Sequence, residues 1–287
     1  MLKNLLGFVA VLVLIAGCGN NKMIRPGDSL PEAFRKAKGL YVSENYNDAT
    51  QAFETVISIG RGTEYAMEAQ YLLAESYFKN GEYLLAASEY DRYANYYPQA
   101  EKREEVDFKQ ALCYYKLSPN YKLDQKYTQK AIELYKLFNS RYPNSDRTGE
   151  AGKYIDKLRT KLAHKYYHAA ELYLRIDEYE AAAIYYGLTI DNYPETSWSE
   201  QALVKQIYAY IVYARNSVSS KQDDRYQKAI DAYEKYVQLF PKGEHRSQAE
   251  EYHDMARVAL AKIENTSNTD SSGSASASES TATSSRN

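Results

Sequence analysis

The chain has 287 residues, of which 44% are hydrophobic, and its 36 basic residues nearly balance its 38 acidic ones. This length and composition are typical of one elongated helical domain with a continuous core. The basic residues form no stripe that could contact successive phosphates, which argues against nucleic acid as a partner. Tyrosine is unusually abundant, with 31 copies against 7 phenylalanines, and half-buried packing with a hydrated hydroxyl explains most of them.

The first residues are typical of an export signal. Lys3 precedes an apolar segment, residues 5–15, which is too short to span a bilayer as a permanent helix. The residues that follow, Ile15-Ala16-Gly17-Cys18, resemble a bacterial lipobox, in which a signal peptidase cuts before the cysteine. The alternative is a free cysteine beside a signal that is cleaved elsewhere.

We therefore predict a signal peptide over residues 1–17, a lipidated tether over residues 18–29 and a Cys18 that carries diacylglycerol and a palmitate-type acyl chain. Gly19 follows the lipid site, and the absence of aspartate there indicates the outer membrane. Cleavage removes only Lys3 among the charged residues, so the mature chain has 35 basic minus 38 acidic residues, a net charge of −3.

Two patterns repeat along the middle of the chain. Aromatic or small residues recur at steps of 37 residues, in the series Phe34/Tyr71/Phe108, Ala37/Ala74/Ala111 and Tyr41/Phe78/Tyr115. A second pattern, an alanine with an aromatic four residues later and a proline twelve residues later, occurs at Ala86-Tyr90-Pro98, Ala131-Tyr135-Pro143, Ala182-Tyr186-Pro194 and Ala229-Tyr233-Pro241. A fixed period of this length, built of two helical segments, predicts a solenoid of helix pairs.

The second repeat resembles a tetratricopeptide (TPR) unit. Residues 67–79 have apolar side chains at helical spacing, Asn80-Gly81 provides a left-handed stop, and Pro98 ends the second helix at residues 82–96. The resemblance therefore implies a right-handed superhelical solenoid of about five helix-turn-helix repeats. The residues that carry the resemblance are Leu73, Ala74, Tyr77, Gly81, Tyr83, Ala86, Tyr90, Tyr93 and Pro98.

Repeats three and five are longer than the others, because their two alanines are 20 residues apart instead of 12. The additional residues fall around 118–120 and 216–224, which predicts lengthened turns or an overlong first helix. Residues 247–263 are predicted to form a capping helix, and residues 265–287, rich in serine and threonine, a disordered tail. The predicted repeats cover residues 30–62, 66–98, 104–143, 150–194 and 199–241, within a solenoid that spans 30–264.

No catalytic, metal or cofactor site is predicted. Cys113 lies among apolar helical residues and is interpreted as a small buried hydrophobe, which leaves no partner for a disulfide once Cys18 is lipidated. His164 and His168 share a helical face at a spacing that suits a metal pair, but no further ligand completes a site, so we interpret them as helix-surface histidines.

The first helices carry aromatic residues at the positions three before and four after the repeating alanine. These positions lie within about 20° of each other on a helical wheel, on the side that a TPR solenoid turns inward. A lysine follows in repeats two and three. The pattern predicts a groove for a peptide with aromatic side chains and a carboxylate, although the rings could instead only pack between neighbouring helices. The predicted peptide-binding residues are Phe34, Tyr41, Tyr71, Phe78, Lys79, Phe108, Tyr115 and Lys116.

The lipobox, the five TPR-like repeats and the Tyr-Pro-x-(Ser/Thr) turns at 142–145 and 193–196 together resemble the BamD family, also called YfiO, over about residues 18–264. The resemblance implies a lipid-anchored protein of the outer membrane that faces the periplasm and binds the periplasmic domains of the barrel-forming assembly protein. It also implies that the N-terminal repeats receive unfolded β-barrel precursors through their C-terminal signal.

Other functions are open at this point. A TPR lipoprotein could serve another envelope machine, such as peptidoglycan synthesis, secretion or motility, and crosslinked partners would distinguish it from a barrel assembly factor. A solute-binding lipoprotein of the SusD type would be much longer. An enzyme would need a constellation of catalytic residues that the sequence does not offer.

Overall fold

The computed structural model describes residues 23–282, with side chains described as far as residue 265. The predicted signal peptide and Cys18 lie outside this range. The described chain forms eleven α-helices and no strand, which confirms the prediction of an all-α helical-repeat fold. None of these helices combines the length and the apolar character needed to cross a membrane. The helices are α1 (Leu30–Val42), α2 (Tyr46–Ile59), α3 (Glu64–Lys79), α4 (Tyr83–Tyr96), α5 (Arg103–Leu117), α6 (Lys126–Arg141), α7 (Thr148–Arg175), α8 (Tyr179–Asn192), α9 (Ser197–Arg215), α10 (Ser219–Leu239) and α11 (Arg246–Ala282).

The helices belong to two compact units. The first unit contains residues up to 119 and residues 126–155, and the second contains residues 120–125 and those from 156 onward. Helix α7 contributes its first residues to the first unit and the rest to the second. Each unit has its own apolar core, so we describe each by itself.

Helix pairs meet at the repeating alanines. Alanine favours a helix and has a very small side chain. Where it lies at the crossing of two helices, their backbones can therefore approach closely. A larger side chain at such a site would have to displace its neighbours. The alanines with no solvent exposure include both members of every pair, namely Ala37/Ala49, Ala74/Ala86, Ala111/Ala131, Ala170/Ala182 and Ala209/Ala229.

The short turns within repeats one, two and four share one backbone feature. Glu44, Gly81 and Asp177 each lie seven residues after the first alanine of the repeat and have φ angles of 59°, 80° and 65°. A residue with positive φ is the usual way to end a helix and start a new direction. The predicted stop at Asn80-Gly81 is therefore present, and repeats one and four achieve it without glycine.

The prolines of the repeat fall just beyond the second helices. Helices α4, α6, α8 and α10 end at Tyr96, Arg141, Asn192 and Leu239, in each case two residues before a proline. Proline lacks the N–H that would continue the helix and disfavours helical backbone in the residue before it. The prolines of the sequence pattern therefore predict where these four helices end.

The two longer repeats are lengthened in different ways. In repeat three, residues 118–125 form an extended connection between α5 and α6, as predicted. In repeat five only residues 216–218 separate α9 from α10, and the additional residues lengthen the second helix, α10, at its start. The prediction of a longer turn or first helix was therefore wrong for repeat five. The segment 219–225 contains neither proline nor glycine, so nothing in it stops a helix.

Both ends of the described chain differ from the sequence prediction. Part of the predicted tether folds onto the first unit: Ile24 packs against its core, and the buried Lys36 Nζ donates to Asp28 Oδ2 at 2.7 Å. A hydrogen bond from the backbone N–H of Arg25, followed by the Lys36 ammonium, lowers the pKa of Asp28. At the other end, the helix predicted to stop at residue 263 continues to Ala282 through the serine-rich segment, which contains no proline.

Candidate functional site

The first helices of repeats one to three present the predicted aromatic residues. Helices α1 and α3 pack side by side, and α3 is joined to α5 by an ion pair between Glu75 Oε1 and Lys109 Nζ at 2.6 Å. The alanine at the centre of each helix faces the core, so the residues three before and four after it border the neighbouring helices. The structure therefore places all eight predicted residues on three adjacent helices of one unit.

Two of the predicted rings are part of the core. Tyr71 is 8% exposed and Phe108 is 4% exposed. The Lys102 ammonium lies 4.5 Å from the centre of the Tyr71 ring, and Phe108 packs against Phe138 with 5.3 Å between ring centres. For these two residues the structure favours the packing interpretation.

The other four rings are only half-buried, and each packs against the ring of an aromatic neighbour. Phe34 lies edge-on to Tyr65 with ring centres 5.4 Å apart, and Phe78 meets Tyr83 in the same way at 5.4 Å. Each of these rings keeps part of its surface in solvent, so it can both support the fold and contact a ligand. The remaining pairs are Tyr41 with Tyr46 at 5.7 Å and Tyr115 with Tyr154 at 4.4 Å.

Lys79 and Lys116 stand in the last turns of α3 and α5, where the negative end of the helix dipole favours a cation. Both side chains are exposed, and within the described residues neither ammonium is in an ion pair. They are therefore available to a carboxylate from outside.

A charged network around the buried Glu75, which the sequence pattern did not predict, supports this surface. Lys109 Nζ lies 2.6 Å from Glu75 Oε1 and 2.9 Å from Glu105 Oε1, and the Tyr71 hydroxyl donates to Glu105 at 2.9 Å. The Tyr90 hydroxyl also donates to Glu75. These contacts fix α5 against α3 at the level of the predicted rings.

The charges of this network are mutually stabilised. Burial opposes the ionised form of Lys109, but hydrogen bonds and charge from Glu75 and Glu105 outweigh it and raise the pKa of Lys109. Burial likewise opposes ionised Glu105, yet the hydrogen bond from Lys109 prevails and lowers the pKa of Glu105. A carboxylate within the apolar run Leu72-Leu73-Ala74-Glu75 was the sequence signal that could have revealed the network.

The histidine pair is not the pair of surface residues that the sequence predicted. His164 is half-buried between two rings, with its ring centre 3.9 Å from Tyr121 and 4.4 Å from Trp198. His168 packs edge-on to it at 4.3 Å and binds Glu171 through Nδ1 at 2.7 Å. Burial, and then the charge of His168, lowers the pKa of His164. Within the described residues, no group of three or more histidine, cysteine or acidic side chains could hold a metal.

Cys113 is a free cysteine and is fully buried, and its burial was predicted from its apolar neighbours in the sequence. Burial, reinforced by the charge of Glu75, raises the pKa of the thiol. Because the thiolate is the reactive form, this environment makes Cys113 unreactive.

Helix pairs that cross at buried alanines, with aromatic rings on adjacent first helices, define a TPR-like helical-repeat protein. The family model YfiO, described as outer membrane lipoprotein, matches residues 27–223. The chain belongs to the YfiO family.

Relatives with curated names are similar over much of the chain. A putative outer membrane protein assembly factor BamD from Aquifex aeolicus is 30% identical over 70% of this chain and 65% of its own. The outer membrane protein assembly factor BamD of Caulobacter vibrioides is 23% identical over 62% of this chain and 58% of its own. The chain therefore spans less than two thirds of the length of either relative. Among solved structures, a TPR repeats protein from Bacteroides fragilis aligns with a TM-score of 0.43 and 14% identity, over 80% of this chain and 99% of that one.

Proposed function

We propose that this protein is a non-enzymatic lipoprotein scaffold of the machinery that assembles β-barrel proteins in the outer membrane. Its membership of the YfiO family and the names of its BamD relatives support this role. In the proposal, Cys18 carries the lipid that holds the chain on the periplasmic face of the outer membrane. The repeats bind the periplasmic domains of the barrel-forming assembly protein and unfolded barrel precursors.

The half-buried aromatic rings beside unpaired lysines are the observation that carries the precursor-binding part of this proposal. Strands of outer-membrane barrels alternate apolar with polar side chains and have aromatic residues near their ends. An extended strand of that kind offers aromatic side chains to Phe78 and Tyr115. A free C-terminal carboxylate would pair with Lys79 or Lys116.

The sequence pattern predicted Tyr71 and Phe108 as peptide-binding residues, but in the proposal they do not contact the peptide. Both rings are buried, so they act by fixing α3 and α5 rather than by touching the peptide. Contact with the peptide falls to the half-buried rings, which are Phe34, Tyr41, Phe78 and Tyr115.

The cellular role is tested by depleting the protein and measuring folded barrel proteins in the outer membrane. We expect their amount to fall before other envelope functions change, because precursors would no longer reach the assembly site. Normal barrel levels together with a defect in peptidoglycan, secretion or motility would contradict the proposal and assign the protein to another envelope machine.

The groove is tested with a peptide that copies the last strand of an outer-membrane barrel protein. Truncating a desolvated aromatic anchor costs about 2 kcal/mol or more in binding, so Phe78→Ala should weaken affinity about thirtyfold or more. Lys79→Ala should weaken binding of the free carboxylate peptide but not of its C-terminal amide. Calorimetry gives the affinity, and the melting temperature of each variant shows whether it is folded.

Two results would contradict the groove hypothesis. One is a folded Phe78→Ala protein that binds the peptide as tightly as wild type. The other is a loss of stability in Phe78→Ala with unchanged affinity of the folded fraction, which the packing interpretation predicts.

A further inference from the structure

The first unit contains two equivalent clefts, each lying between the second helices of neighbouring repeats. The first cleft lies between α2 and α4 over α3, and the second lies between α4 and α6 over α5. Their walls correspond residue by residue at the 37-residue step of the repeat. The corresponding pairs are Glu54/Asp91, Ile57/Ala94, Ser58/Asn95, Ala66/Arg103, Gln70/Asp107 and Leu73/Gln110.

The second cleft is filled by the chain itself and has a volume of only about 150 Å³. Arg103 extends across it, with Nε 3.0 Å from Asp107 Oδ1 and Nη1 donating to the carbonyl of Ala94 at 2.8 Å. The other carboxylate oxygen of Asp107 accepts from the Tyr142 hydroxyl at 2.9 Å and also binds Arg141. Every strong polar group of this cleft thus has a partner inside it.

The first cleft is open because the closing arginine is missing. Ala66 stands where repeat three has Arg103, and the cleft has a volume of about 680 Å³. Ala66 and Leu73, both buried, provide an apolar floor. The Gln70 side-chain amide donates a hydrogen bond to Glu89 Oε2 at 2.7 Å, at the side of the cleft, so Gln70 does not fill the space. The volume of this cleft lies within the range of known ligand sites, and its lining combines polar with apolar side chains.

Two arginines and one glutamate are the charged residues that line the first cleft. Arg61 is exposed, and its guanidinium is in no ion pair within the described residues. Arg92 is 51% exposed and lies 3.1 Å from Glu89. The Tyr96 ring, at 68% exposure, stands where the second cleft has Arg141. Glu54, the acidic residue of the cleft lining, accepts a hydrogen bond from the Tyr77 hydroxyl at 3.2 Å, which leaves Arg61 as the unpaired charge of the cleft in the described part of the chain.

We propose that the first cleft binds an acidic peptide segment of a partner protein, with a large apolar side chain next to a carboxylate. The apolar side chain occupies the space above Ala66 that Arg103 occupies in the second cleft. The carboxylate pairs with Arg61 and Arg92, a charge-assisted contact that arginine makes well. The cleft opens between two second helices, and its floor is a different side of α3 from the one that carries Tyr71 and Phe78. It is therefore separate from the aromatic face and does not depend on the proposed function.

The probe is a short fluorescein-labelled peptide of alternating leucine and glutamate, and the matched control alternates leucine and lysine. Fluorescence anisotropy should detect binding of the acidic peptide and not of the basic one. Ala66→Arg copies the closed cleft and should weaken binding by about tenfold or more, because it removes the space. Arg61→Glu with Arg92→Glu should weaken it as strongly, because it reverses the rim charge.

Lys136→Glu with Lys153→Glu is the matched control, since it reverses the same number of charges at exposed positions outside both the cleft and the aromatic face. It should leave the affinity for the acidic peptide unchanged. Circular dichroism identifies variants that fold, and the exposed Arg61 variant tests the proposal even where Ala66→Arg does not fold. The proposal is overturned if wild type does not bind the acidic peptide, if it binds the basic peptide equally well, or if the Arg61/Arg92 variant binds like wild type.

Discussion

The tyrosine four residues after the second alanine of a repeat has the same position in successive repeats but different partners. Tyr90, Tyr135 and Tyr186 are all fully buried. Tyr90 donates its hydroxyl to Glu75, whereas the hydroxyls of Tyr135 and Tyr186 have no hydrogen-bond partner among the described residues. In repeat three the position of Glu75 is taken by Leu112, which explains the difference for Tyr135.

Replacing these tyrosines by phenylalanine should therefore have unequal effects. Tyr90→Phe should cost about 1–3 kcal/mol of unfolding free energy, because it leaves the buried Glu75 carboxylate with one donor fewer. Tyr135→Phe, in the same unit, should be close to neutral, since it removes a hydroxyl that has no protein partner. Urea unfolding of both variants measures the difference, and equal losses would contradict this account of the two hydroxyls.

The sequence predicted which residues form the aromatic face but not how deeply each is buried. Position on a helical wheel gives the side of a helix, and all eight predicted residues lie on α1, α3 and α5. Depth depends on neighbours from other elements, such as Phe138 beside Phe108 and Lys102 over Tyr71. Such contacts join residues that are distant in sequence, so the local pattern contains no information on them.

At the level of the helix pair, three of the short turns contain a residue with a positive φ angle. Glu44 and Asp177 have the positive φ that glycine adopts at Gly81. A side chain raises the energy of this conformation by about 1–2 kcal/mol, whereas glycine loses about 0.5–1 kcal/mol of backbone entropy on folding. The balance favours glycine at all three positions.

Glu44→Gly should thus stabilise the first unit by about 0.5–1 kcal/mol, because glycine adopts the left-handed conformation at this exposed site without the steric cost of a side chain. Gly81→Ala is the matched control and should destabilise the same unit by a similar amount. Thermal or urea unfolding gives both values. A Glu44→Gly variant less stable than wild type would show that the Glu44 side chain has contacts that outweigh the backbone term.

The connection within repeat three is docked on α7 by polar and ring contacts. Lys165 Nζ donates to the carbonyls of Tyr121 and Leu123 at 3.2 and 2.9 Å. The Tyr121 ring covers both His164 and His168. The sequence analysis located the additional residues of this repeat, but it could not predict what they pack against, because the contacts span more than forty residues.

The histidine cluster should make the stability of the second unit depend on pH. The pKa of His164 is lowered by burial and by His168, so below its unfolded value of about 6.5 the unfolded state binds more protons than the folded state. Stability should therefore be highest above about pH 6.5 and fall as the pH decreases through the range between the two pKa values. Melting temperatures at pH 7.5 and 5.5 measure this.

His164→Gln should reduce that pH dependence, and His245→Gln, a histidine outside the cluster, should not. The comparison separates the titration of His164 from the general effect of acid on the protein. An unchanged difference in melting temperature for His164→Gln would contradict the assignment.

Over the whole chain, the repeat pattern predicted the helix pairs more reliably than the ends. Helix pairs are encoded locally by the alanines, which recur in all five repeats, and by the prolines, which recur in repeats two to five. The ends lack such repetition. Residues 23–29 resemble a polar linker in sequence, yet Ile24 reaches the core and Asp28 binds Lys36, a contact that helical periodicity does not describe.

Lipid on Cys18 should hold the whole molecule at a membrane. A single acyl chain gives only marginal attachment, whereas two or more give stable attachment. The lipobox predicts that Cys18, which lies outside the described residues, carries these chains. Cys18→Ser should therefore remove lipid from the protein and move it out of the outer-membrane fraction in a density gradient.

Cys113→Ser is the matched control, because Cys113 is buried in the first unit and should have no part in anchoring. That variant should remain in the outer-membrane fraction even if its melting temperature falls. Intact-protein mass spectrometry of wild type should find a chain that begins at residue 18 with added acyl mass. An unmodified Cys18 in the mature protein, or a Cys18→Ser variant that fractionates like wild type, would contradict lipid anchoring at this residue.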